Sequence, residues 1–153
     1  MLDERGEPQA VEYYLRAIAE QDCAADAYCN LGIIESKQGR TAKALHYFTS
    51  SLKHNPRHAE AHYNLGNLYF EVNDLRLAQL HYEMTVEVDP SFPNVYFNLG
   101  LVLAISKQFD AAVSALAKYQ EMVPAADGQK ADELLENLKK SSAASKKPRA
   151  GLR

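Results

Sequence analysis

The sequence is poor in cysteine, glycine, proline and long apolar runs, and each shortage excludes a class of protein. Two cysteines, Cys23 and Cys29, are too few for a disulfide framework or a four-ligand zinc site. With 7 glycines and 6 prolines in 153 residues, the chain is neither collagen-like nor a disordered Pro/Gly polymer. No run of about 18 apolar residues occurs, and the polar start MLDERGEPQ is not a secretory signal. We therefore expect a cytoplasmic protein that does not insert into membranes.

Charge is unevenly distributed, although the net charge is only −3. Residues 1–138 carry 11 basic and all 20 acidic residues, a charge of −9, whereas residues 139–153 carry six basic and no acidic residues, a charge of +6. Proteins that bind nucleic acid present basic surfaces, so the acidic body argues against nucleic acid as a partner. The end of the chain, residues 141–153, has no hydrophobic periodicity and is predicted to be a disordered basic tail.

A 34-residue repeat occupies the central part of the chain. The tripeptide Asn-Leu-Gly begins at Asn30, Asn64 and Asn98. Four further residue classes recur in the same register across three copies, so chance does not explain the pattern. These classes are a proline, a small alanine, a large apolar residue and an aromatic or histidine ring: Pro56, Pro90, Pro124; Ala44, Ala78, Ala112; Phe48, Tyr82, Leu116; Tyr28, His62, Tyr96.

This pattern resembles the tetratricopeptide repeat (TPR), a helix–turn–helix unit. The resemblance implies an all-α fold, a right-handed α-solenoid whose helices approach closely at the glycine and alanine positions. Gly39, Asn73-Asp74 and Gln108 lie where the turn inside each repeat is expected. We predict a TPR domain over residues 1–140, followed by the tail. Its parts are the second helix of a partial repeat (8–24), three full repeats (25–58, 59–92 and 93–126) and a capping helix (127–140).

The first helix of each repeat is predicted to line the concave side of the solenoid, here called the inner wall. An asparagine side chain both donates and accepts hydrogen bonds, which suits a peptide backbone of any sequence. Asn30, Asn64 and Asn98 resemble the asparagine ladder in the repeats of O-linked N-acetylglucosamine transferase; the alternative interpretation is that they are solvated surface residues. The predicted peptide-binding residues are Asn30, Ile33, Glu60, Tyr63, Asn64, Asn67, Glu71, Phe97, Asn98 and Leu101.

The charge of the inner wall predicts the chemistry of the partner. Lys37 is the one base among the wall positions, against Asp26, Glu60 and Glu71. A clamp for a free carboxylate, known from chaperone-binding members of the family, is therefore not expected. The wall suits an extended protein or peptide segment with apolar and basic residues.

No motif in the sequence indicates catalysis. A glycine-rich phosphate loop, a GxSxG motif and a nucleophile paired with a base are all lacking. His54, His58 and His62 are spaced by four, but Pro56 ends the helix between them. We predict no enzyme activity, no cofactor and no metal site.

Two alternatives to a peptide-binding module stay open at this point. The partial repeat has no first helix of its own in the sequence pattern. Its apolar stripe, Val11, Tyr14, Leu15 and Ile18, therefore predicts an oligomer interface and a self-associating scaffold, possible as a homo-oligomer. The other alternative is a regulatory TPR segment of a larger enzyme or transcription regulator.

Overall fold

The computed structural model describes residues 6–19 and 23–146, and the regular structure within them is entirely helical. The helices are α1 (Gly6–Ala19), α2 (Ala24–Lys37), α3 (Thr41–His54), α4 (Ala59–Glu71), α5 (Leu75–Val88), α6 (Pro93–Ile105), α7 (Phe109–Met122) and α8 (Ala125–Ser145). The most extensive contacts join α2 to α3, α4 to α5, and α6 to α7. The predicted all-α, helix–turn–helix architecture is confirmed.

The chain divides into two compact units, residues 1–89 and residues 90–153. The first unit contains α1 to α5, and its helices pack in sequence, with an additional contact between α2 and α4. The second unit contains α6, α7 and α8, in which α7 packs against both other helices.

Each full helix pair is held close by a glycine that faces a large side chain. A Cβ atom added to Gly32 would lie 2.5 Å from the Phe48 ring, and one added to Gly66 would lie 2.5 Å from the Tyr82 ring. Both rings are 1% exposed, so they have no room to move aside. The repeated Leu-Gly motif therefore sets the distance between the two helices of each pair.

The turn inside each repeat requires one residue with a left-handed backbone. Gly39, Asn73 and Lys107 have φ angles of 74°, 62° and 62°. The residue after each donates its N–H to a carbonyl five residues back, as Arg40 does to Glu35 at 2.9 Å. In the third repeat the left-handed residue is Lys107, one position before the Gln108 that the sequence suggested.

The C-terminal helix is longer than the predicted cap. Helix α8 runs from Ala125 to Ser145, so the prediction of a disordered tail beginning at residue 141 was wrong for residues 141–145. Ser142 is buried and donates a hydrogen bond to Asp110, and Lys146 forms an ion pair with Asp110 at 3.0 Å. These contacts at the start of α7 give the end of α8 a partner that the sequence periodicity does not reveal. Residues 147–153 of the predicted tail lie outside the described residues.

Candidate interaction surface

In the first unit, the structure brings the predicted wall residues together on two neighbouring helices. Helices α2 and α4 contact each other directly. Asn30 and Ile33 on α2 are half-buried, as are Tyr63, Asn64 and Asn67 on α4. Glu60 and Glu71 at the two ends of α4 are exposed. This part of the wall therefore presents amides, an apolar residue and a ring in partly sheltered positions, with carboxylates beside them.

The two asparagines of α4 have different surroundings. The Asn64 amide donates to the backbone oxygen of Glu60 at 2.8 Å, within its own helix. The Asn67 side-chain oxygen accepts a hydrogen bond from the Tyr82 hydroxyl at 2.6 Å. Since Tyr82 is 1% exposed, its hydroxyl needs a partner inside the protein. Asn67 therefore has a structural role that was not predicted from the sequence. A signal was present, because the only full repeat with tyrosine at the Tyr82 position also has asparagine 15 residues earlier.

Two carboxylates of the first unit, Asp26 and Glu60, affect the pKa of a nearby buried thiol. Cys29, on α2, is buried, and burial raises the pKa of its thiol to about 12, with the charges of Glu60 and Asp26 adding to the effect. Asp26 and Glu60 themselves are exposed in the first turns of α2 and α4, so this end of the wall carries two carboxylates. A thiol with so high a pKa stays protonated and is a poor nucleophile.

Asp26 also links the two repeats of the first unit. His58 Nε2 lies 2.6 Å from Asp26 Oδ1, while His58 Nδ1 accepts a hydrogen bond from the N–H of Ala61 at 3.1 Å. His58 thus caps α4 and donates to a carboxylate on α2. This contact holds the first turns of the two wall helices together.

In the second unit, the predicted wall residues are Phe97, Asn98 and Leu101 on α6, and all three are half-buried. The ammonium group of Lys130, on α8, lies 4.5 Å from the centre of the Phe97 ring and 5.0 Å from the centre of the Tyr119 ring. A cation over an aromatic face is an attractive contact. Lys130 was not predicted from the sequence, because α8 does not follow the 34-residue register.

The ring position of the second repeat holds a buried histidine, His62, which pairs with the half-buried His81. His62 Nε2 lies 2.9 Å from the backbone oxygen of Pro56. In the next repeat, the Tyr96 hydroxyl makes the equivalent contact with the backbone oxygen of Pro90 at 2.7 Å. His62 Nδ1 lies 3.0 Å from Nδ1 of His81. Burial lowers the pKa of His81 to about 4, and His62 contributes to the shift. His62 therefore replaces a structural tyrosine, and His81 is neutral at pH 7.

The part of the chain that the structure describes has neither a cluster of metal-ligating side chains nor a membrane-spanning helix. Residues 6–19 and 23–146 contain no cluster of three or more His, Cys, Asp or Glu side chains that could hold a metal ion. Over the same ranges, none of the helices has the length and apolar character needed to cross a bilayer.

Sequence models of the tetratricopeptide repeat match residues 24–91 and residues 63–127. No curated protein sequence matches the chain significantly. Among solved structures, the chain is similar to the first TPR of Spaghetti (RPAP3) bound to the HSP90 peptide SRMEEVD. The TM-score is 0.70 at 18% identity, over 78% of this chain and 93% of that one.

Two further structures have the same fold. The TPR2B domain of yeast Sti1, in complex with pHsp70, has a TM-score of 0.64 at 15% identity and covers 80% of this chain and 98% of that one. A mutant O-GlcNAc transferase of Thermobaculum terrenum has a TM-score of 0.61 at 25% identity, over 65% of this chain but only 19% of the transferase. At these identities the likenesses show the fold.

Proposed function

Because the chain belongs to the tetratricopeptide repeat family, we propose that it is a protein-interaction module that binds an extended peptide segment on its inner wall. The repeated asparagine carries this proposal. Asn30 and Asn64 lie half-buried on contacting helices of the first unit, and Asn98 has the same repeat position in the second unit. Two of the similar structures are complexes with HSP90 or Hsp70 ligands, which supports a peptide or protein partner.

Amide side chains would hold the backbone of the segment. Each asparagine can accept from a peptide N–H and donate to a peptide carbonyl, whatever the peptide sequence. Asn64 donates to its own helix at present, so peptide binding would replace that bond with one to the ligand. Tyr63, Ile33, Phe97 and Leu101 would contact side chains of the segment.

Negative charge would select the side chains of the segment. Asp26 and Glu60 are exposed in the first turns of α2 and α4, which contact each other. A basic side chain is therefore favoured there, and an acidic one is repelled. The acidic peptide SRMEEVD that binds Spaghetti is accordingly a poor candidate ligand for this chain.

The test selects binders from a displayed library of extended peptides and measures their affinity for four proteins. These are the wild type, an Asn30→Ala/Asn64→Ala/Asn98→Ala variant, a Glu60→Lys variant and an Asn137→Ala control. Loss of three hydrogen bonds at about 1 kcal/mol each predicts an affinity about 100-fold lower for the triple variant.

Asn137 is exposed on α8 and is not one of the predicted wall residues, so its replacement should leave affinity unchanged. The Glu60→Lys variant should lose affinity for peptides with basic residues, and the loss should shrink at high salt. A peptide that binds the wild type and the triple variant equally well would show that the ladder is not used.

A further inference from the structure

The packing face of α1 is more exposed than the same face of its equivalents. Tyr14 lies 34 residues before Phe48 and 68 before Tyr82. Phe48 and Tyr82 are each 1% exposed because the first helix of their repeat covers them, with Gly32 and Gly66 against the rings. Tyr14 is only half-buried, and among the described helices α1 makes its main contact with α2, the helix that follows it.

The residue before Tyr14 shows the same difference more strongly. Tyr13 corresponds to Tyr47 in α3 and to His81 in α5. Tyr47 contacts the Tyr28 ring at 6.2 Å between centres, and His81 contacts the His62 ring at 5.3 Å. In both repeats the covering ring belongs to the first helix, whereas Tyr13 is 69% exposed.

A cavity of about 330 Å³ lies between α1 and α2 beside these tyrosines. Tyr13, Tyr14, Arg16 and Ala17 line it from α1, and Asp26, Ala27 and Asn30 line it from α2. The position of Ala17 is occupied in the next repeats by Ser51 and Thr85, both completely buried. The cavity therefore lies at the α1 positions that a first helix covers in the full repeats.

We propose that this face of α1 and α2, here called the α1 face, binds an amphipathic helix of a partner protein. That helix carries an aromatic residue or histidine, followed four residues later by Gly-Asn. The chain itself provides the template. Tyr82 packs on Gly66 and donates its hydroxyl to Asn67, while His62, four residues before Gly66, covers His81. Tyr14 also has a hydroxyl group, which Phe48 lacks, so the covering helix should resemble α4 rather than α2.

The geometry of a helix connects the elements of this motif. Residues four apart lie one turn apart on the same side of a helix, so one ring and one glycine can contact Tyr13 and Tyr14 together. The glycine is needed because any larger residue would meet the tyrosine ring, as the 2.5 Å approach at Gly66 shows. The asparagine gives the Tyr14 hydroxyl an acceptor as it becomes buried.

The first experiment uses a synthetic peptide with the sequence of residues 58–72, which contains His62, Gly66 and Asn67. We expect saturable binding to the whole protein by calorimetry, with chemical-shift changes in α1 and the start of α2. The same peptide with Gly66→Leu should bind at least about tenfold more weakly, since the leucine cannot fit against Tyr14. Equal affinity of the two peptides would overturn the proposal.

Protein variants locate the binding and separate it from the peptide groove. Tyr13→Ser should weaken the helical peptide about tenfold without unfolding α1, because Tyr13 is exposed; Leu80→Ser, also exposed but on α5, should have no effect. Tyr14→Phe should weaken the wild-type peptide but not a peptide with Asn67→Ile. An Asn64→Ala/Asn98→Ala protein should bind the helical peptide normally even if groove binding is lost.

A second copy of this chain is the competing occupant. Light scattering of the wild type without peptide should show a monomer. A dimer that dissociates in the Tyr13→Ser variant would overturn the proposal in favour of self-association through the α1 face.

Discussion

The helix pair α4–α5 of the first unit and the pair α6–α7 of the second unit have the same layout but are filled with different chemistry. In α4–α5, the buried Tyr82 and His62 pair with the half-buried Asn67 and His81. In α6–α7, Leu116 and Leu101 take the positions of Tyr82 and Asn67, and Ala115 takes that of His81. The repeat therefore specifies where side chains meet and leaves open whether they meet as hydrocarbons or as hydrogen-bonded polar groups.

The difference has energetic consequences. An apolar contact tolerates a change of shape, whereas a buried polar pair leaves an unsatisfied group when one partner is removed. The α4–α5 pair should therefore be more sensitive to single substitutions and to pH than the α6–α7 pair. This contrast is measurable as changes in the free energy of unfolding, determined by urea denaturation.

The largest effect is expected from Gly66→Ala. Its new methyl group would lie 2.5 Å from the trapped Tyr82 ring, so we expect a loss of about 3 kcal/mol, although alanine favours helix by about 1 kcal/mol. Gly100→Ala should cost less, about 1–2 kcal/mol, because it meets a leucine side chain at 2.7 Å instead of a ring. Gly128→Ala is the control, since its nearest neighbour atom would be 3.7 Å away, and it should not destabilise. Equal losses at Gly66 and Gly128 would contradict the steric explanation.

The second-largest effect is expected from loss of the Tyr82–Asn67 hydrogen bond, which a double-mutant cycle measures. Asn67→Ile removes the acceptor of a buried hydroxyl and should cost about 2 kcal/mol. Adding Tyr82→Phe recreates the Phe48 and Ile33 pair of the first repeat and should restore most of the loss. Additive effects of the two substitutions would show that the hydrogen bond contributes nothing specific.

The repeat made much of the fold predictable from sequence, because the Leu-Gly motif and the buried alanines are steric requirements that recur every 34 residues. Lys130 over Phe97 and Ser142 against Asp110 could not be predicted in this way. Both contacts depend on how α8 docks, and α8 carries Glu133 and Leu134 where the repeat has Leu-Gly. The wall asparagines followed from the register, but their hydrogen bonds within the protein did not, because these depend on side-chain conformation.

The third effect is a pH dependence of the α4–α5 pair. An unfolded histidine has a pKa of about 6.5, whereas burial keeps the pKa of His81 near 4. Between these values the unfolded chain binds a proton that the folded chain does not, so stability falls as the pH drops from about 6.5 to about 4. We expect a loss of about 1–2 kcal/mol, reduced from the full shift because His81 keeps some contact with solvent.

His81→Gln removes this titration and keeps an amide donor for His62, so its stability should depend less on pH than that of the wild type. His46→Gln is the matched control, because His46 is exposed on α3. The same pH dependence in wild type and in His81→Gln would contradict the assignment to His81.

The smallest effect concerns the turns. Lys107 adopts a φ of 62° in the second unit, a left-handed conformation that disfavours a side chain, while Gly39 adopts 74° in the first unit without that cost. Lys107→Gly should therefore stabilise the second unit by about 0.5–1 kcal/mol, and Gly39→Lys should destabilise the first unit by a similar amount. Both residues are exposed, so no packing changes with either substitution. Destabilisation by Lys107→Gly would contradict this prediction. It would show that the greater conformational entropy of glycine in the unfolded chain outweighs the relief of backbone strain in this turn.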